Sequence, residues 1–287
     1  MALPSSAMYT ALCVLPTCLG FWKSEYGVSY AYGVSLALVA SHALFIGEPL
    51  TSTVAVAHAT LLLCYGVRLC LFLLYRELTI PYFREFKEKI EERAKARGSR
   101  LSRTPFVLGC SFLYAGLAAP MILTASADPS PITCYLLGVA FVGWALAAVG
   151  DAQKTIFKAR LGEGTLVTNG LFAFLRHPNY TGEMLMWTAN LLAGALNVAR
   201  PSALALLPSR ASLLTLALLG WAGITFVLMQ AGRNLQARQE ARYTGVVEYE
   251  EWKAASWGGI TLPPKKTVDQ APADSPKGPA DEQATSS

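Results

Sequence analysis

Residues 175–187 read LRHPNYTGEMLMW and lead into an apolar run that ends near Val198. Four polar groups, Arg176, His177, Asn179 and Glu183, stand at this entrance. Pro178 suits the first turn of a helix, where its missing N–H costs nothing, so a helix is expected to begin near His177. Asn179 and Glu183 then share one face, with Trp187 a turn further on. Glu183 marks a functional position, because a carboxylate in the opening turns of a membrane helix is costly to turn toward lipid.

The rest of the chain fits that setting. Of 287 residues, 53% are hydrophobic and only 15% charged, against about a quarter charged in a soluble domain. Crossing a ~30 Å hydrocarbon core takes roughly 20 apolar residues in a helix. Seven segments are read as spans: Met8–Trp22, Ser29–Gly47, Thr53–Tyr75, Pro105–Ala125, Pro131–Gly150, Tyr180–Val198 and Ala211–Gly232. The first is short and broken by Pro16, yet Met1–Trp22 holds no Lys or Arg and so lacks the basic start of a signal peptide. The fold expected is an all-α, polytopic membrane bundle of about seven transmembrane helices.

Seven spans put Lys23, Arg76–Arg103, Lys154–Arg176 and everything after Gly232 on one side. Twenty-one of the 24 Lys and Arg fall there, with Arg200 and Arg210 opposite and Arg68 inside a span. Lys and Arg resist translocation, so that side is expected to be cytoplasmic. The net charge of +5 therefore reflects membrane asymmetry and implies no nucleic-acid partner. The stretch Glu85–Gly98 reads as a solvated helix on the same side, with Glu85–Lys89 and Glu91–Lys95 one turn apart. Six cysteines show no CxxC spacing and are read as small apolar residues, with no disulfide or metal site. After Leu262 the chain turns to Pro, Ala, Ser and charge and is expected to be a disordered tail, residues 263–287.

Two further polar groups lie on the side of Asn179. If the fifth helix continues beyond the bilayer as DAQKTIFKARLG, then Asp151, Lys154 and Lys158 share a face, with Arg160 close by. After the last span, Asn234, Arg238 and Arg242 repeat every four residues, and Tyr243, Tyr249 and Trp252 add aromatic surface. Interfacial anchors would not need Asp151, Asn179 and Glu183 among these cations. A polyanion carrying an amide or ribose would, and the three segments are expected to form a cytoplasmic-side cofactor cavity.

DAQKTIFK, NGLFAFLRHPNYTGEMLMW and ARYTGVVEYEEWKAASWGGITLPP, in that order and spacing, resemble the C-terminal domain of the steroid 5-alpha-reductase superfamily, closest to its uncharacterised branch. YGVRLCLFLLYREL at Tyr65–Leu78 also resembles that branch. The resemblance covers about Tyr65 to Pro264 and divides the chain into N-terminal helices (1–64), a reductase-like membrane domain (65–262) and the tail. It implies a multi-pass membrane enzyme, expected in the endoplasmic reticulum, that uses NADPH to reduce a carbon–carbon double bond of a lipid such as a steroid, sterol, polyprenol or enoyl chain. Carried over by position, it implies cofactor contacts from Asp151, Lys154, Lys158, Arg176, His177, Asn179, Tyr180 and Glu183, and from Arg238 and Tyr243. Lys154, Lys158 and Arg176 have phosphates to pair with, while Asn179 and Glu183 suit the carboxamide or ribose. The proton donor stays open among His42, Glu48, His58, Tyr65, Arg68 and Tyr75.

Two other readings compete. A membrane methyltransferase of the isoprenylcysteine type also carries RHPxYxG, but it places paired acids some seven to ten positions before its Tyr/Phe-Gly. Arg233–Gln239, RNLQARQ, has no acid, and S-adenosylmethionine has no phosphate for the cations. The third reading is an inactive membrane scaffold or lipid-binding relative, which would bind NADPH without turnover.

Overall fold

Pro81 explains the first sharp boundary in the structure. The residue before a proline is pushed toward extended backbone, and Ile80 is extended (φ −117°, ψ 105°) between helix α4 (Thr53–Thr79) and helix α5 (Pro81–Ala96), whose first position Pro81 occupies. The computed structural model describes residues 6–47, 50, 52–125, 130–198 and 207–259. The expected tail at 263–287 and Glu48 lie outside the described residues.

Before α4 come α1 (Ser6–Thr17), α2 (Leu19–Trp22), a 3₁₀ turn (Ser24–Gly27) and α3 (Tyr30–Ser41), which runs on as a π-helical turn through Ile46. After α5 follow a 3₁₀ turn (Arg100–Arg103), α6 (Thr104–Ala125), α7 (Pro131–Leu161), the short α8 (Leu171–Phe174), α9 (Pro178–Ala195), α10 (Leu207–Tyr243) and α11 (Val247–Ala255). Among the described residues there is no named strand, and one isolated bridge pairs Leu175 with Trp257.

Among the described residues, five segments are long and apolar enough to cross a bilayer: Ser24–Ile46, Thr53–Thr79, Arg100–Ala125, Pro131–Leu161 and Arg210–Tyr243. Their large apolar side chains include many left exposed, such as Leu71, Phe112, Val142, Leu219 and Phe226. Such a surface belongs in lipid, and the chain is a multi-pass membrane protein. Two of the seven expected spans are not among the five. The first is divided into α1 and α2, and α9 spends its 18 residues partly on Asn179, Thr181, Glu183, Thr188 and Asn190. The 31 residues of α7 reach about 46 Å at 1.5 Å per residue, well beyond a hydrocarbon core. DAQKTIFKAR is therefore a continuation of the fifth expected span, as its pattern suggested.

The chain forms two compact units. The larger lies within residues 1–145 and 182–227, the smaller within 146–181 and 228–287.

In the larger unit α3 and α4 pair extensively. Gly33 and Gly66 bring their backbones together: a Cβ on Gly66 would overlap the Gly33 carbonyl oxygen and stand 2.9 Å from Ala37 N. A polar staple ties α4, α6 and α9. His58 Nε2 lies 2.6 Å from Asn190 Oδ1 and Nδ1 3.0 Å from Thr124 Oγ1, while Asn190 Nδ2 donates to the Leu117 carbonyl (3.1 Å). With its amide so oriented, Asn190 accepts from His58 Nε2–H.

The helix expected to be solvated is partly turned inward. Lys87 and Glu91 of α5 are buried. Lys87 Nζ lies 2.7 Å from Glu77 and 3.3 Å from Glu25, between the rings of Tyr26 and Tyr30. Glu91 receives Arg103 through both carboxylate oxygens (2.9 and 3.1 Å) and the Ser24 N–H (2.9 Å). Arg103 and the Ser24 amide hold the Glu91 carboxyl below its ordinary range against the opposing cost of burial. Glu91 thus meets a bidentate arginine from beyond α5, a stronger partner than the exposed Lys95 one turn along its own helix.

Candidate functional site

The smaller unit is assembled on the N-terminal turn of α9. Gly150 makes the approach possible, since a Cβ there would press on Asn179 N at 3.0 Å and on the Pro178 ring. Asp151 then accepts from Asn179 Nδ2 at 3.1 Å. His177 is buried beside them, with the Tyr180 ring 6.0 Å away by centroid.

The α10 extension presents two faces, and the inward one differs from the one the four-residue repeat picks out. Asn234, Arg238 and Arg242 are exposed, and Arg238 Nε donates to the Asn234 carbonyl of its own helix. Gln236 is buried and shares with Arg233, Glu240 and Tyr243 a face built on spacings of three and four. Gln236 Oε1 lies 3.2 Å from His177 Nε2, while its amide nitrogen donates to Glu240 (3.1 Å) and approaches the Tyr249 hydroxyl (3.4 Å). Glu240 is an acceptor, so the amide is oriented with Oε1 toward His177, which must carry its proton on Nε2. Burial pulls the ring down to about 4, with the Gln236 bond opposing and the charges of Lys154 and Arg176 assisting. His177 is therefore neutral at physiological pH and serves in the wall of the site, bonded to Gln236.

The C-terminal segment closes over the same loop. Arg176 N–H donates to the Trp257 carbonyl and Trp257 N–H to the Phe174 carbonyl, both at 2.9 Å. Trp252 Nε1 donates to the Phe172 carbonyl (2.7 Å), and Lys253 pairs with Glu240 (2.9 Å). A side chain at Gly258 would collide with the Arg176 guanidinium, whose Cζ would stand 3.2 Å from the new Cβ. Arg176 Nε is buried without a hydrogen-bond partner among the described residues, as is Arg233 Nε. A buried guanidinium nitrogen left unpaired is costly, and a bound anion would satisfy it.

The expected site residues are thus distributed as follows. Asp151 and Asn179 meet directly; Lys154 and Arg176 act on His177; Tyr180 faces the His177 ring. Lys158 turns to Glu163, by its carboxylate (3.4 Å) and its carbonyl. Tyr243 is tied by its hydroxyl to the Gly164 carbonyl, and Arg238 stands on the exposed face. Glu183 belongs to the larger unit. There its charge acts on the hydroxyls of Tyr32 and Tyr65, which lie near each other without closing a hydrogen bond. Tyr32 stacks on Tyr114 (5.1 Å between centroids) and Tyr65 meets Trp187 edge-on (5.0 Å), and Trp187 Nε1 likewise has no partner among the described residues. Arg233, Gln236, Glu240 and Lys253 were absent from the sequence-based set, although the spacing Arg233–Gln236–Glu240–Tyr243 was available to find them.

One family model matches the chain, over residues 20–246, and its description is "Protein of unknown function (DUF1295)". No curated protein and no solved structure matches. The match spans well over half of the chain, which therefore belongs to the DUF1295 family.

Proposed function

We propose that this member of the DUF1295 family is a membrane-bound NAD(P)H-dependent reductase of a carbon–carbon double bond in a lipid. The observation that carries the reading is Arg176: its Nε is buried with no hydrogen-bond partner among the described residues, and its charge, with that of Lys154, acts on the neighbouring neutral His177. That donor set suits a phosphorylated nucleotide, and the motifs around it resemble the steroid 5-alpha-reductase superfamily. Arg176, Arg233 and Lys154 would hold phosphate; Asn179, oriented by Asp151, would read a carboxamide or ribose hydroxyl. Bound NADPH would supply a hydride. The site-bearing loops face the cytoplasm in this reading, as the distribution of Lys and Arg favours.

The reduction also needs an acid to protonate the carbon that receives no hydride. Of the open set of donors, His58 is bonded on both nitrogens and is a packing residue.

Equilibrium binding to purified protein in nanodiscs tests the reading. NADPH should bind, S-adenosylmethionine should not compete, and Arg176→Gln should weaken NADPH by about tenfold or more, as for loss of a charged hydrogen-bonded pair. Preferential binding of S-adenosylmethionine would replace it with the methyltransferase, and NADPH binding without turnover of any lipid would favour the inactive relative.

A further inference from the structure

Gln236 bridges His177, the residue after Arg176, to Glu240 (3.2 and 3.1 Å) and so brings an acid into the neighbourhood of Arg176; against the cost of burial, Lys253, Gln236 and last Arg176 hold the Glu240 carboxyl below its ordinary range. If Glu240 paired with Arg176, the guanidinium would be neutralised. Glu240 is instead engaged by Lys253 (2.9 Å) and by the Gln236 amide (3.1 Å). Lys253 comes from α11, the helix whose Trp252 and following Trp257 fasten the Phe172–Arg176 loop.

We propose that Lys253 is a positioning residue that keeps Arg176 open to an anionic ligand by holding Glu240 away from it. This rests on the reading of Arg176 as a phosphate-binding group. The device separates two tasks for the C-terminal segment. Backbone bonds from Trp257, with the space left by Gly258, set where Arg176 lies; Lys253 sets which charge it meets. The ligand class is a phosphorylated nucleotide, for which a guanidinium already bound to a carboxylate would be a poor partner.

The test uses full-length protein in nanodiscs with NADPH as probe, each variant first checked for a monodisperse profile and a thermal transition. Arg176→Gln establishes the reading on its own; if wild-type protein does not bind NADPH, the reading fails and the inference with it. Given binding, Lys253→Met should weaken NADPH by about tenfold, the scale of losing one charged contact, because Glu240 then captures Arg176. Lys253→Arg should retain affinity. The double variant Lys253→Met/Glu240→Gln should recover it to within about threefold, since no acid remains to compete. A purely structural role predicts the opposite for the double variant, which removes both ends of the α10–α11 bridge. NADPH affinity unchanged in Lys253→Met, or a double variant as weak as Lys253→Met, overturns the proposal.

Discussion

Gly66→Ala should be among the most damaging single-methyl additions in the larger unit. The added Cβ would overlap the Gly33 carbonyl and approach Ala37 N at 2.9 Å and Ala37 Cβ at 3.0 Å. Two of these three are backbone atoms of α3, so no side chain can rotate away and the two helices must separate. A radial gap of about 0.5–1 Å forfeits a quarter to a half of each dispersion contact, and α3 packs extensively against α4. Overpacking of this kind costs about 1–3 kcal/mol, and rigid neighbours place Gly66 near the upper end. For a chain of this size that corresponds to a loss of roughly 5–10 °C in melting temperature. Gly138→Ala is the matched control, because a Cβ there meets nothing within 4 Å. Thermal unfolding in one detergent should show Gly66→Ala well below wild type and Gly138→Ala at or slightly above it. Equal melting of both variants would refute the close backbone contact.

The Asn190–His58 staple predicts a double-mutant cycle. Asn190→Leu strands a buried His58 N–H and should cost about 1–3 kcal/mol, whereas adding His58→Phe should restore much of it; chemical or thermal denaturation checks both. His177 predicts a pH dependence with a definite sign. Its folded pKa is lowered, to about 4, so its contribution is complete above the unfolded value near 6.5 and is lost as pH falls toward 4, by at most about 3 kcal/mol. The melting temperature of wild type minus that of His177→Gln should therefore fall between pH 6.5 and 4 and stay level above pH 7. A difference independent of pH would contradict a buried neutral ring.

Helix identity was largely legible in the sequence because apolar length dominates it. Thr53–Tyr75, Pro105–Ala125 and Ala211–Gly232 each lie within a spanning helix. The polar threshold was legible too: Pro178 opens α9, and Asp151 meets Asn179. What periodicity could not decide was which face of an exposed-looking helix turns inward. Asn234, Arg238 and Arg242 form as regular a stripe as Arg233, Gln236, Glu240 and Tyr243, and only the partners just before α9 and on α11 choose between them. Glu91 of α5 shows the same limit, since its partner Arg103 lies 12 residues away and no helical spacing signals it. Likewise Tyr32 and Tyr65 are ordinary aromatic residues in apolar spans until α9 sets Glu183 beside them.

The central claim is that Arg176 and its neighbours hold a hydride-donating nucleotide for a lipid acceptor. It is tested most directly by label transfer: protein in nanodiscs made from a total membrane lipid extract, supplied with NADPH tritiated at the transferable position. Tritium should enter the lipid fraction with wild type and be lost with Arg176→Gln. Contradiction would be a lipid fraction free of tritium alongside transfer of a labelled methyl group from S-adenosylmethionine under the same conditions.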